Sequence, residues 1–316
     1  MQVLSARELM TRKIMLRLFQ ALVLAALMAA FIITGCEGPG EGAQTPETDT
    51  STSDEPAICH TPTAADTETS ADNNGRVTFE TLSFPAPLPN PPKEIRLPIL
   101  MFHHIGDAPS DADEIRRNLT VSAADFEAMM AYLKQAGYTT VSEKQLFKTF
   151  FSAEALPAKP VMLTLDDGYL DNYLVAAPIL EKYGLQATFY IVTELVGTPE
   201  YMSWEQVAAL DSKGMDIGSH TCAHLDLTDL SGADLKHELT DSAASIQAHL
   251  DHPVYWLCYP AGKFDADVEL YAREGGYLLA TTTNPGEQQS SNDPYGLLRY
   301  RVRSDTGLAG FMALVE

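Results

Sequence analysis

The chain has 316 residues, 45% of them hydrophobic, enough to bury one large core or two ordinary ones. Its 43 acidic side chains against 21 basic ones give a formal charge of −22, which argues against nucleic acid and anionic membrane surfaces as partners, since both need basic patches. The acidity is uneven, because residues 37 to 75 carry nine carboxylates and no Lys or Arg.

At the N-terminus, Arg7, Arg12, Lys13 and Arg17 precede an apolar run from Leu18 to Ile33 that only Gln20 interrupts. A basic region, an apolar region and small residues make an export signal, and the run is short for a membrane span. Residues 1–35 are therefore expected to be a signal peptide. Ile33-Thr34-Gly35-Cys36 resembles the bacterial lipobox, which implies a lipid on Cys36 and a body held in the cell envelope. A plain signal peptide, giving a secreted protein, and an uncleaved anchor are the alternatives. Residues 36–96 are expected to be a tether without fixed structure: the acidic Ser/Thr-rich stretch lacks large apolar side chains, and a proline-rich lead-in follows from Phe84.

From Leu97 onward, short apolar runs alternate with helical patterns. Strands are expected at 97–103, 138–141, 160–166, 187–192, 215–219, 254–259, 277–282 and 297–302, with helices near 122–136, 142–151, 171–183, 203–213, 231–250 and 265–274. Strands alternating with helices of this length imply a parallel sheet. Seven or eight such units suggest a closed or nearly closed barrel over 97–316, with any site at the C-terminal ends of the strands. An open doubly wound sheet is the alternative.

Three motifs end such strands. In LTLDDGY, residues 163 to 169, Asp166 and Asp167 stand where an apolar strand gives way to a helix. His220 and His224 follow the strand at 215–219, four residues apart, and converge on one ion if the segment turns helically. Thr221, and not Glu, follows His220, so a carboxylate must come from elsewhere, and the Asp pair can supply it. One carboxylate and two imidazoles leave an open position on a metal, as a catalytic site requires. Neighbouring residues at a strand end diverge, so one aspartate can bind metal while the other accepts a proton. The third motif, Cys258-Tyr259-Pro260-Ala261-Gly262-Lys263, is a turn whose backbone N–H could face an oxyanion. Of four cysteines, Cys222 and Cys258 lie in the folded part and are expected to be buried and reduced.

The order LTLDDGY, SHTCAH, CYPAGK resembles the polysaccharide deacetylase family (carbohydrate esterase family 4, NodB-homology fold). The resemblance implies a distorted, incomplete (β/α) barrel of seven to eight mostly parallel strands, and an enzyme hydrolysing N-acetyl groups of amino sugars in a surface polysaccharide. It implies Asp166 as general base, Asp167, His220 and His224 as ligands of a divalent metal, with zinc the default, and the Ala261 N–H as oxyanion donor. Tyr259, Pro260 and Arg301 would contact substrate. Two departures stand out. Cys258 occupies the place where many members carry an Arg that orients the base, and no His follows His252 to act as general acid. His103, or its neighbour His104, is the expected acid, since the first strand resembles the branch ending in an aromatic-His pair. Arg299, Arg301 and Arg303 share one strand face by period two; one of them replacing the missing Arg by pairing with Asp166, and a solvated strand end, are the two readings of this row. An O-acetyl esterase and a carbohydrate-binding module without turnover are the competing readings. No protein partner is inferred.

Overall fold

A computed structural model describes residues 81–316 together with the backbone of two short paired strands, Ser70–Ala71 and Val77–Thr78. The expected signal segment, Cys36 and Cys59 lie outside the described residues. Among the described residues no helix is long and apolar enough to cross a membrane.

Seven strands build the main sheet: β1 (Ile99–Phe102), β2 (Pro160–Leu165), β3 (Thr188–Ile191), β4 (Asp216–Ser219), β5 (Trp256–Cys258), β6 (Leu279–Thr281) and β7 (Tyr300–Arg301). Their spatial order is β6-β5-β4-β3-β2-β1-β7, every pairing is parallel, and Thr139–Thr140 adds a short strand beside the start of β2. Strand order that follows chain order across β1 to β6 is what successive βα units produce. The sheet curls. Leu297 bridges to Thr281 on β6, whereas Tyr300 and Arg301 pair with β1, so one short segment touches both edges of a distorted (β/α) barrel.

Alternation along the strands sorts side chains between two cores. On β2, Val161, Leu163 and Leu165 pack outward against the helices, while Met162 faces an inner cluster with Ile99, Tyr190, Trp256, Cys258, Leu279 and Leu297. The helix Ala123–Ala136 closes over the outer face. Ser122 caps it, Gly137 ends it in a left-handed turn, and Phe126, Met129, Met130 and Leu133 are buried, each contributing about 1.5–3 kcal/mol. Gly218 on β4 has no room for a side chain, since a Cβ would lie 2.6 Å from the Tyr190 ring.

Three features differ from expectation. Residues 81–96 belong to the packed domain, so a boundary at 97 is too late. The Phe84 ring meets those of Phe147 and Phe151 edge-on at 5.5 and 5.0 Å, and Glu94–Arg96 pairs antiparallel with Gln288–Ser290. The expected helix 231–250 is continuous but contains a wider π turn, His237–Asp241, between Gly232–Lys236 and Ser242–Leu250. Helices Glu114–Leu119 and Gly307–Val315 were not expected; the first buries no residue, and the second is too uniformly apolar to show helical periodicity.

Candidate active site

The three motifs meet where the strands end. Asp166 continues β2, its N–H donating to the Phe102 carbonyl at 2.9 Å, so its side chain follows the strand's alternation into the barrel. Asp167 and Gly168 then take left-handed φ values of 76° and 78°. That turn aims the two neighbouring carboxylates at different partners.

The carboxylate of Asp166 receives both arms of a guanidinium, Arg299 Nη1 to Oδ1 at 2.7 Å and Nη2 to Oδ2 at 2.8 Å. Arg299 is 1% exposed and is held further by Thr164 Oγ1 (3.0 Å), the Thr282 carbonyl (2.8 Å) and Cys258 Sγ (3.1 Å). Arg299 is thus the arginine of the three that pairs with Asp166, and the Cys258 sulfur lies against its guanidinium. Burial alone would raise the Asp166 pKa, but the Arg299 charge and hydrogen bonds outweigh it and hold the carboxyl below its ordinary value.

Asp167 faces the histidines: its Oδ1 lies 3.3 Å from His220 Nε2 and 3.4 Å from His224 Nε2. Against the effect of burial, His220 and its charge hold Asp167 well below the usual carboxylate range. His220 Nδ1 donates to the Cys258 carbonyl at 2.7 Å, which fixes the ring and leaves Nε2 turned toward Asp167, where it carries a proton in the charged form and would offer a lone pair to a metal on losing it. One ligand atom from each of Asp167, His220 and His224 falls within 4.8 Å of the others, and two imidazole nitrogens with one carboxylate suit a small divalent cation.

The segment 220–224 does not turn helically, contrary to the expected route to convergence. Thr221 and His224 are left-handed (φ 68° and 55°), and the loop is tied down by Glu238 Oε2, which accepts the N–H groups of Cys222 (3.0 Å) and Ala223 (2.9 Å). Glu238 lies on the π turn and was not expected at the site. Cys222 and Cys258 are both buried and free, as expected.

Ala261 also has left-handed φ, 54°, so four of the six non-glycine residues with positive φ among the described residues are Asp167, Thr221, His224 and Ala261. Backbone strain concentrated in this way marks a site whose shape is imposed by its surroundings. Next to Ala261, a Cβ on Gly262 would fall 2.2 Å from Thr283 Oγ1, so this approach requires glycine. Tyr259 departs from expectation: it is 0% exposed with its ring stacked on Phe264 at 4.7 Å, and Pro260 is buried too, so their side chains serve the core and not a substrate surface.

Of the two early histidines, His103 and His104 diverge as strand alternation requires. His104 Nδ1 bonds Asp171 Oδ2 at 2.8 Å and its ring stacks on Tyr169 at 3.5 Å. His103 is buried with Nδ1 unpartnered; burial lowers its pKa, while the charges of Asp166 and Asp167 act in the opposite sense. Arg301 is half-buried and Arg303 exposed.

Comparison with known proteins agrees with this geometry. The polysaccharide deacetylase family model matches residues 153–280. YxkH of Bacillus subtilis, which bears a polysaccharide deacetylase name, is 32% identical over 224 residues, 71% of this chain and 77% of that protein. The chain belongs to the polysaccharide deacetylase family. Among solved structures, the Streptococcus pyogenes deacetylase PplD, solved with acetate, superposes with a TM-score of 0.66 at 28% identity, covering 71% of this chain and all of that one. The poly-β-1,6-N-acetyl-D-glucosamine N-deacetylase of Escherichia coli K12 is 29% identical over 138 residues, 39% of this chain and 20% of that enzyme. As a polysaccharide deacetylase, this chain is a hydrolase acting on amides, in a family of metalloenzymes to whose ion the Asp167, His220, His224 cluster is suited.

Proposed function

We propose that this chain removes acetyl groups from N-acetylated amino sugars of an extracellular polysaccharide, using a divalent metal, zinc by default. The observation that carries the reading is the division of labour between adjacent aspartates, Asp166 engaged with Arg299 and Asp167 turned to two histidines. Asp167, His220 and His224 would hold a divalent cation, which would supply a lowered pKa for the attacking water and polarisation of the acetamide carbonyl. Asp166, fixed by Arg299 in its ionised form, accepts the proton of that water. The N–H of Ala261 donates to the oxyanion as the carbonyl becomes tetrahedral. His103, in its protonated form, hands a proton to the departing nitrogen and is recharged by the proton that Asp166 took up; its inward position at the end of β1, where the charges of Asp166 and Asp167 favour the protonated ring, supports this role. The products are acetate and a free amine.

The export signal and the lipobox-like Cys36 support a body outside the cytoplasm, tethered to a membrane by lipid, with residues 36 to about 80 as the tether. An acetate-release assay on N-acetylglucosamine oligomers and on O-acetylated xylan, before and after chelation and zinc restoration, tests the reading. Release from the oligomers alone, lost on chelation and regained with zinc, is expected. Release from xylan alone would make the enzyme an esterase, and oligomer binding without release by zinc-loaded protein would make it a binding module.

A further inference from the structure

Arg299 and Arg303 flank the two-residue strand Tyr300–Arg301, in which Arg301 is the inward-facing member. Arg301 stands in register with Met101, two residues before His103, so it lies below the rim on the inward face. Exposure increases along the row, from buried Arg299 through half-buried Arg301 to exposed Arg303. Arg299 is taken up by Asp166. Among the described residues, Arg301 makes no hydrogen bond or ion pair, although the chain carries 43 acidic groups against 21 basic ones.

A half-buried guanidinium loses hydration and gains nothing in return unless an anion arrives. The carboxylates whose charge reaches Arg301 are Asp166 and Asp167, and both have other partners. With Asp166 matched by Arg299 and Asp167 facing two histidines, Arg301 is a positive charge without a partner of its own, within electrostatic reach of both aspartates. A neutral acetamido sugar offers it no counter-charge on binding, before the carbonyl is attacked. The planar fork of one arginine matches one carboxylate through two parallel hydrogen bonds.

Resting on the deacetylase reading above, we infer that the preferred substrate is an anionic acetamido polysaccharide, whose carboxylate, close to the scissile acetamide, is bound by Arg301. The carboxylate could belong to an ether substituent on the acetylated sugar or to a neighbouring uronic acid.

The test compares zinc-loaded protein on three tetrasaccharides: plain N-acetylglucosamine, the same with 3-O-carboxyethyl ethers on alternate sugars, and N-acetylglucosamine alternating with glucuronic acid. Each acid is paired with its methyl ester. Wild type is expected to favour one acid over its ester by about 20-fold in kcat/KM, the effect of one charge-assisted hydrogen-bonded pair, and which acid identifies the source. Arg301→Gln should abolish that preference through KM, hitting the acid far more than the neutral tetramer, and Arg301→Lys should retain part of it. Equal turnover of both acids and their esters by wild type would overturn the inference, and that measurement needs no variant. So would an Arg301→Gln defect of equal size on all substrates. Acetate from the plain tetramer without acid preference defeats this inference alone, whereas acetate from none of the substrates defeats the deacetylase reading beneath it.

Discussion

The two ends of the barrel are built on opposite principles. Where the strands begin, residues 81–96 wrap the domain with aromatic edges and backbone pairing: Phe84 against Phe147 and Phe151, Leu82 N–H to the Tyr255 hydroxyl at 3.2 Å, and Arg96 forked onto Glu287 at 2.8 Å. Where the strands end, buried charges and left-handed residues gather at Asp166, Asp167, Thr221, His224 and Ala261. Sites that need strained, charged arrangements sit on scaffolds whose stability comes from elsewhere. A change at one end should therefore read out differently from a change at the other.

The largest effect should come from the metal cluster. His220→Ala is expected to lose bound zinc and at least about a thousandfold in kcat/KM, because water activation and carbonyl polarisation go together. Metal analysis and acetate release check it. Asp166→Asn should keep the metal yet lose about 100- to 10,000-fold in kcat, the usual range for a general base.

Arg299→Ala joins the two currencies of activity and stability. Removing it leaves Asp166 buried and unpaired, at a cost of about 3–5 kcal/mol by denaturant titration. The sign with pH follows from the lowered Asp166 pKa. The pair's contribution is present above the ordinary carboxylate value and is lost as pH falls through the lowered one, so the gap between wild type and variant should be widest near neutrality and narrow below about pH 4. A gap that widens in acid would break the assignment of Arg299 as the partner of an ionised base.

Gly262→Ala sharpens the comparison inside the mouth. The new methyl group, 2.2 Å from Thr283 Oγ1, must push the turn that carries Ala261, and a roughly tenfold fall in kcat is expected with KM little changed. At the other end, Phe84→Ala should cost about 2 kcal/mol in stability, because the ring is only partly buried, while kcat stays at the wild-type value. A large kcat defect there would show that the two ends are not separable.

The strand and helix sequence was legible because each element carries its own period, as with Phe126, Met129, Met130 and Leu133 on one helix face. The motif residues were legible because each closes a strand. What was hidden depends on contacts distant in sequence: Arg299 meets Asp166 across 133 positions, and nothing in the period-two row told it apart from Arg301 or Arg303. The Cys258 carbonyl that orients His220 lies 38 positions away, and a backbone atom leaves no trace in the sequence. Glu238 looked like any acidic helix residue, and only the π turn and the left-handed residues of the loop bring it under Cys222 and Ala223. Residues 81–96 read as tether because prolines and polar residues mask the single anchoring ring of Phe84.

The most direct test of two neighbouring carboxylates with separate duties is zinc content measured beside acetate release for Asp166→Asn and Asp167→Asn. Asp166→Asn is expected to hold one zinc per chain and release almost no acetate, and Asp167→Asn to hold no zinc and release no acetate. Zinc lost equally from both, or full turnover by an Asp167→Asn protein without zinc, would contradict that separation.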